Sequence, residues 1–150
     1  HLRTRRQRQM CIRDSCLRSA IEVGDLNWQA NVVASHYQLI ATPQRDENDP
    51  QRYNPEFVDA YRGFRQALVA ACDNLWLAKM RDMLNVQSLR YQLLSKADQR
   101  DIAESYQPVV AKTLARDADA ACELLDQLMR ARAQYTIDWL DSQEAANDVK

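Results

Sequence analysis

Residues 54–77 read NPEFVDAYRGFRQALVAACDNLWL. Asn54 can cap a helix, Pro55 suits its first position and Glu56 puts negative charge in its first turn, so a helix starts here. It runs to about Cys72. At about 100° per residue, Phe57, Phe64, Leu68, Tyr61, Cys72, Val58 and Val69 share one broad apolar arc. Asp59, Arg62, Gln66 and Asp73 point away from it. Such a rod has one face to bury and needs other rods to cover it.

Composition extends that reading to the whole chain. Its 150 residues, about one domain's worth, contain two glycines, against roughly 7% in ordinary chains. Hairpin-rich sheets and phosphate-cradling loops both need glycine, so an all-β fold and nucleotide fingerprints are excluded. Twenty alanines and fourteen glutamines favour helix. The expected fold is all-α, an antiparallel bundle of about six helices with a truncated first helix.

The pattern divides accordingly. Cys16 to Val23 reads as the last turns of one helix, stopped by Gly24. Asp25 caps a second, to about Ile40, with Trp28, Val32, Val33 and Tyr37 among its apolar positions. Residues 42–55, with Pro43, Pro50 and Pro55, form the one clear loop. Asn74 opens a fourth helix, to about Ser95, which is apolar on two sides and therefore expected to be central. Asp98 opens a fifth, to about Ala115, and Asp117 a sixth, to about Ser142. Pro108 inside the fifth should kink it near Tyr106; two shorter helices meeting there is the alternative.

Residues 1–15 lack this periodicity. They hold Arg3, Arg5, Arg6, Arg8 and Arg13 against Asp14, and RQRQMCIRDS resembles a translated sequencing-adapter tail. They are read as foreign or as a disordered tail, leaving 16–150 as the domain. That domain has fifteen bases and twenty acids, a poor match for a phosphate backbone. No apolar run approaches the ~20 residues of a membrane span, so the chain reads as cytoplasmic with no membrane partner. Cys11, Cys16, Cys72 and Cys122 form no CxxC pair and read as thiols, Cys72 and Cys122 as core residues. His1 and His36 are too few for a histidine-rich metal centre. Paired carboxylates, a nucleophile with a histidine base and helix-borne ExxH motifs are missing, which argues against an enzyme.

One charge breaks the apolar arc of the third helix. Arg65 falls at about 80° from Phe57, between Cys72 and Val58. A buried guanidinium cannot shed its proton, so it needs an anionic partner or must snorkel to solvent. The inward stripes of the other helices offer no obvious carboxylate. Three possibilities stand: a snorkelling head, a bound carboxylate ligand, or an internal acid that the pattern does not reveal. Arg132 also lies within its helix's apolar arc and is a candidate for a pocket rim, the alternative being a head that snorkels near the helix end; Arg90, on the edge of its own arc, has the same alternative.

Phe64-Arg65-Gln66-Ala67-Leu68-Val69-Ala70-Ala71-Cys72-Asp73-Asn74-Leu75-Trp76-Leu77 resembles the FHxALxxAxxNxxL segment in the C-terminal ligand-sensing (FCD) domain of FadR-type GntR transcriptional regulators. Leu114-Ala115-Arg116-Asp117-Ala118-Asp119-Ala120-Ala121 is similar to that domain's step between its last two helices. The resemblance implies a dimerising, effector-sensing domain, with DNA bound through a winged helix that this chain does not contain. Most members hold a divalent metal with one Asp and three His, and the metal helps to bind a carboxylate effector. Those positions correspond here to Tyr61, Arg65, Tyr106 and Leu128, so the resemblance implies that the metal is lost and no cofactor is bound. The expected ligand-binding residues are Arg65, Tyr61, Tyr106, Leu128, Arg132 and Arg90, the partners a small carboxylate and a second copy of the chain. The alternative is a dimerisation module whose pocket has filled.

Overall fold

A computed structural model describes residues 2–94 and 101–147, with side chains described from Cys11 onward except those of 88, 90–94 and 147. Among the described residues there are seven helical segments and no strand: α1 (Leu2–Val23), α2 (Leu26–Ala41), α3 (Pro55–Ala67), α4 (Leu75–Leu94), α5 (Ile102–Ser105), α6 (Gln107–Leu114) and α7 (Ala118–Asn147). Helix α2 packs on α3, α6 on α7, and α1 lies against both α7 and α4. The backbone of residues 2–15 is the first part of α1. No helix among the described residues is long and apolar enough to cross a membrane.

Local chemistry fixes the corners. The Asp25 side chain accepts from Trp28 N at 2.8 Å and caps α2. The Trp28 ring lies so close to Gly24 that a Cβ there would stand 2.2 Å from the ring and 2.5 Å from Ala20 O. Only glycine fits. Asn54 caps α3 through a bond from Glu56 N at 3.0 Å, with Pro55 in the first turn. Between α6 and α7, Arg116 takes a positive φ of 57°, and Asp117 N reaches back to Lys112 O at 3.0 Å. Left-handed backbone costs about 1–2 kcal/mol for a residue with a Cβ. Here the Arg116 guanidinium offsets it by donating to Ile21 O and Gly24 O at 2.9 and 2.6 Å, closing the end of α1.

Several boundaries differ from the sequence expectation. Helix α3 ends at Ala67 rather than Cys72 because side chains take its last carbonyls. Trp28 Nε1 donates to Ala67 O at 3.0 Å, and an Arg81 guanidinium nitrogen donates to Arg65 O. Val69 N and Cys72 N then turn to carbonyls three residues back. Instead of a single kinked fifth helix, two short segments meet at Tyr106, with Pro108 in the first turn of α6. Asp98, the expected start, lies outside the described residues; Asp101 caps α5 by accepting from Glu104 N at 2.9 Å.

Helices α2 and α4 are oriented differently from expectation. The buried face of α2 is Trp28, Val32, His36 and Leu39, while Val33 and Tyr37 are exposed. Helix α4 is not central: Trp76, Met80, Met83 and Val86 face outward. Its buried residues include Arg81 and Leu89, with Leu77 and Asn85 half-buried along the same face. The core is an aromatic column in which Tyr53, Phe57 and Tyr61 stack in sequence, Tyr61 tilts onto Tyr106, and Phe64 meets Tyr106 edge-on.

Candidate functional site

Three helices deliver cations to the end of that column. Arg65 on α3, Arg81 on α4 and Arg132 on α7 are 7%, 5% and 5% exposed. Arg65 therefore does not snorkel. It donates to Asn85 Oδ1, and its guanidinium carbon stands 5.3 Å from the centre of the Tyr61 ring. Among the described residues no carboxylate pairs with it, so the internal acid is not found there either. Arg81 bonds to Arg65 O at the C-terminal end of α3, where a cation suits the helix dipole, and lies 3.3 Å from the half-exposed Asp82.

Arg132 is not at a rim. Because α7 continues to Asn147, this residue lies deep within the rod rather than near its end. Its Nη1 donates to Tyr61 Oη at 2.7 Å and its Nη2 to Ser105 Oγ at 2.9 Å. The Tyr61 and Tyr106 hydroxyls are 3.0 Å apart. Thus four of the expected site residues, Arg65, Tyr61, Tyr106 and Arg132, come together. Leu128 does not join them: it is half-buried against the core, and Leu125 and Met129 border the site in its stead. The side chain of Arg90 lies outside the described residues. Arg81, Asn85 and Ser105 were not found from the sequence; the i, i+4 spacing of Arg81 and Asn85 was the available signal.

Positive charge dominates the electrostatics. Burial and the neighbouring Arg65 lower the Arg81 pKa from its ordinary value. Arg13, which lies in the adapter-like segment, is lowered to about 10 by burial and by Arg65. Burial pushes the Tyr61 phenol up, but Arg132 and Arg65, with the hydrogen bond to Tyr106, outweigh it and hold Tyr61 below its usual value. Burial and the adjacent Tyr61 push Tyr106 up. Tyr61 therefore ionises first. Its contribution to stability is present above the unfolded value of about 10 and is lost as pH falls through the lower folded value. Spectrophotometric titration should show one phenolate forming below pH 10 in the folded chain, and Arg132→Met should move it upward; identical titrations would contradict this geometry.

The space beside the cations is small. One cavity of about 20 Å³ is bordered by Arg65, Arg81, Tyr106, Leu125 and Met129. A second, of about 50 Å³, is bordered by Arg65, Asp82, Asn85, Val86 and Leu89. The first has room for about one water molecule, and Arg65 is a wall of both.

The donor set does not suit a divalent cation. Arg65 brings a permanent positive charge and Leu128 has no lone pair to give. His36 is buried with Nε2 3.0 Å from Ala103 O. Among the described residues no group of three or more His, Cys, Asp or Glu is placed to hold a metal. Cys16 and Cys122 are buried thiols pushed up to about 12, chiefly by burial, so they are poor thiolate ligands.

An all-helical bundle enclosing a cationic site is the class of domain these observations define. Its fold is that of a GntR-family transcriptional regulator from Pseudomonas syringae pv. tomato str. DC3000, whose crystal structure superposes with a TM-score of 0.77 at 19% identity, over 95% of this chain and 57% of that one. Residues 12–131 match the model of the FCD domain, and the chain belongs to that family of GntR-type transcriptional regulators. It is 32% identical over 112 residues to the uncharacterized HTH-type transcriptional regulator BphR of Paraburkholderia xenovorans (strain LB400), covering 73% of this chain and 46% of that protein. It is 30% identical over 115 residues to the HTH-type transcriptional repressor GlaR of Escherichia coli (strain K12), covering 72% and 51%. The chain spans about half the length of these relatives.

Proposed function

We propose that this domain is the effector-sensing part of a transcriptional regulator and that it takes a small carboxylate on buried arginines without a metal ion. The observation that carries the reading is the Arg65 head, buried 7% exposed beside Arg81 with an amide oxygen as its acceptor. A carboxylate there would make two-pronged, charge-assisted bonds and relieve the mutual repulsion of the cations. The Tyr61 hydroxyl, already a hydrogen-bond acceptor for Arg132, and that of Tyr106 are the neutral donors at hand. Nothing in the arrangement pairs a nucleophile with a base, so the reading is of binding rather than catalysis. DNA contact would come from a winged helix, as the regulator class implies. Pairing with a second copy belongs to the same proposal, and the exposed Trp76, Met80 and Met83 of α4 support it.

The small cavities favour one competing reading, a filled pocket in a domain that only associates. Thermal unfolding with small mono- and dicarboxylates, against chloride at matched ionic strength, separates the two. A ligand that binds the folded chain alone raises Tm with concentration, by an amount corresponding to about 2.7 kcal/mol at a hundred times Kd. A saturable rise with at least one carboxylate is expected, and a flat response across the series would leave the filled-pocket reading.

A further inference from the structure

Asn85 follows Arg81 by one turn of α4 and is half-buried. Its side-chain oxygen accepts from Arg65 Nη2, and a second guanidinium, that of Arg13, reaches the same atom at 3.4 Å. Guanidinium donors converging on one oxygen form the environment that a carboxylate oxygen seeks. An amide oxygen carries only partial negative charge and answers this demand incompletely. Asn85 also borders the cavity of about 50 Å³, whose other walls include Arg65, Asp82 and Val86. Beyond the Arg65 wall lies the cavity of about 20 Å³ beside Arg81 and Tyr106. The amide thus stands beside the guanidinium that links the two spaces.

We infer that Asn85 is a built-in stand-in for the ligand. Its amide oxygen holds the Arg65 guanidinium in the ligand-free chain, and an arriving carboxylate must displace it. The inference rests on the reading of Arg65 as an anion site and adds the residue that sets how strongly that site answers. Displacement has two consequences. The affinity for an external carboxylate is reduced by the fraction of time the amide occupies the guanidinium. Removal of the amide from Arg65 breaks one of the two described bonds between α4 and α3, leaving that from Arg81 to Arg65 O, and so links occupancy to the helix that carries the exposed Trp76 and Met80 face.

Two variants of the full chain test it. Asn85→Asp supplies a permanent carboxylate at the same atom position. Without any added ligand its Tm at pH 7 is expected to exceed that of the parent by several degrees, and its response to carboxylates to vanish. Asn85→Ala removes the competitor and is expected to bind a small carboxylate at least about threefold more tightly than the parent. A parent chain that responds to carboxylates, with an Asn85→Asp chain that is no more stable than the parent or responds equally, overturns the role of Asn85 and leaves the sensor reading standing. Unchanged or weaker affinity in Asn85→Ala does the same. A stabilised Asn85→Asp chain beside a parent that no carboxylate affects overturns both, since the amide then completes a filled pocket and stands in for nothing.

Discussion

Replacing Arg65 by alanine is expected to lower the affinity of the domain for its carboxylate by at least about 30-fold, while leaving the chain folded. Truncating one partner of a buried, hydrogen-bonded charge pair costs roughly 2–5 kcal/mol, and each 1.4 kcal/mol is tenfold in Kd. The same substitution should do little harm to the ligand-free fold. The Arg65 guanidinium depresses the pKa of both Arg81 and Arg13, so its removal relieves repulsion even as it loses the Asn85 bond and the Tyr61 ring contact. Arg65→Lys keeps the charge without the planar fork and should fall between the two. Calorimetric titration of the three chains checks the order, with Arg52→Ala, exposed and away from both cavities, as control. Equal affinity in the parent and Arg65→Ala would place any bound anion elsewhere.

Tyr106→Ala is expected to have the largest effect on stability. The side chain is 1% exposed, meets Phe64 edge-on at 5.1 Å, tilts against Tyr61 at 5.9 Å and bonds to its hydroxyl. Truncating a buried aromatic ring costs about 3–5 kcal/mol. For a chain of this size that corresponds to a fall in Tm of roughly 10 °C. Tyr106→Phe keeps the ring and loses only the hydroxyl bond, for about 1 kcal/mol. Denaturant titration of both variants separates packing from hydrogen bonding. Similar small losses in the two would mean that the ring does not hold α5, α6 and α3 together.

The parts of this architecture that follow from local chemistry are legible in the chain. Two glycines exclude a hairpin-rich sheet, Asn54 and Pro55 mark the start of α3, and the wheel puts Arg65 among apolar neighbours, where the structure has it. Tertiary effects are not legible in the same way. Helix α3 stops early because Trp28 and Arg81, distant in sequence, claim its carbonyls. Arg81 escapes an apolar-face reading because the more apolar side of α4, with Trp76, Met80 and Met83, is the exposed one. A helix that turns polar residues inward at a site defeats amphipathicity as a guide. The wheel makes Arg132 a rim candidate, whereas α7 runs on for fifteen residues beyond it and its guanidinium bonds to Tyr61 and Ser105 inside the bundle. Arg13 lies within the stretch set aside as adapter-like, yet its guanidinium reaches Asn85. The genomic sequence upstream of residue 16 decides whether that arginine belongs to the natural domain; Arg65, Arg81 and Arg132 do not depend on it.

Calorimetric titration of the full chain with a stabilising carboxylate, in excess chelator and again with added divalent zinc, tests the metal-free anion site most directly. The same Kd in both conditions, with binding lost in Arg65→Ala, is the predicted result. Binding that disappears in chelator and returns with zinc would contradict it.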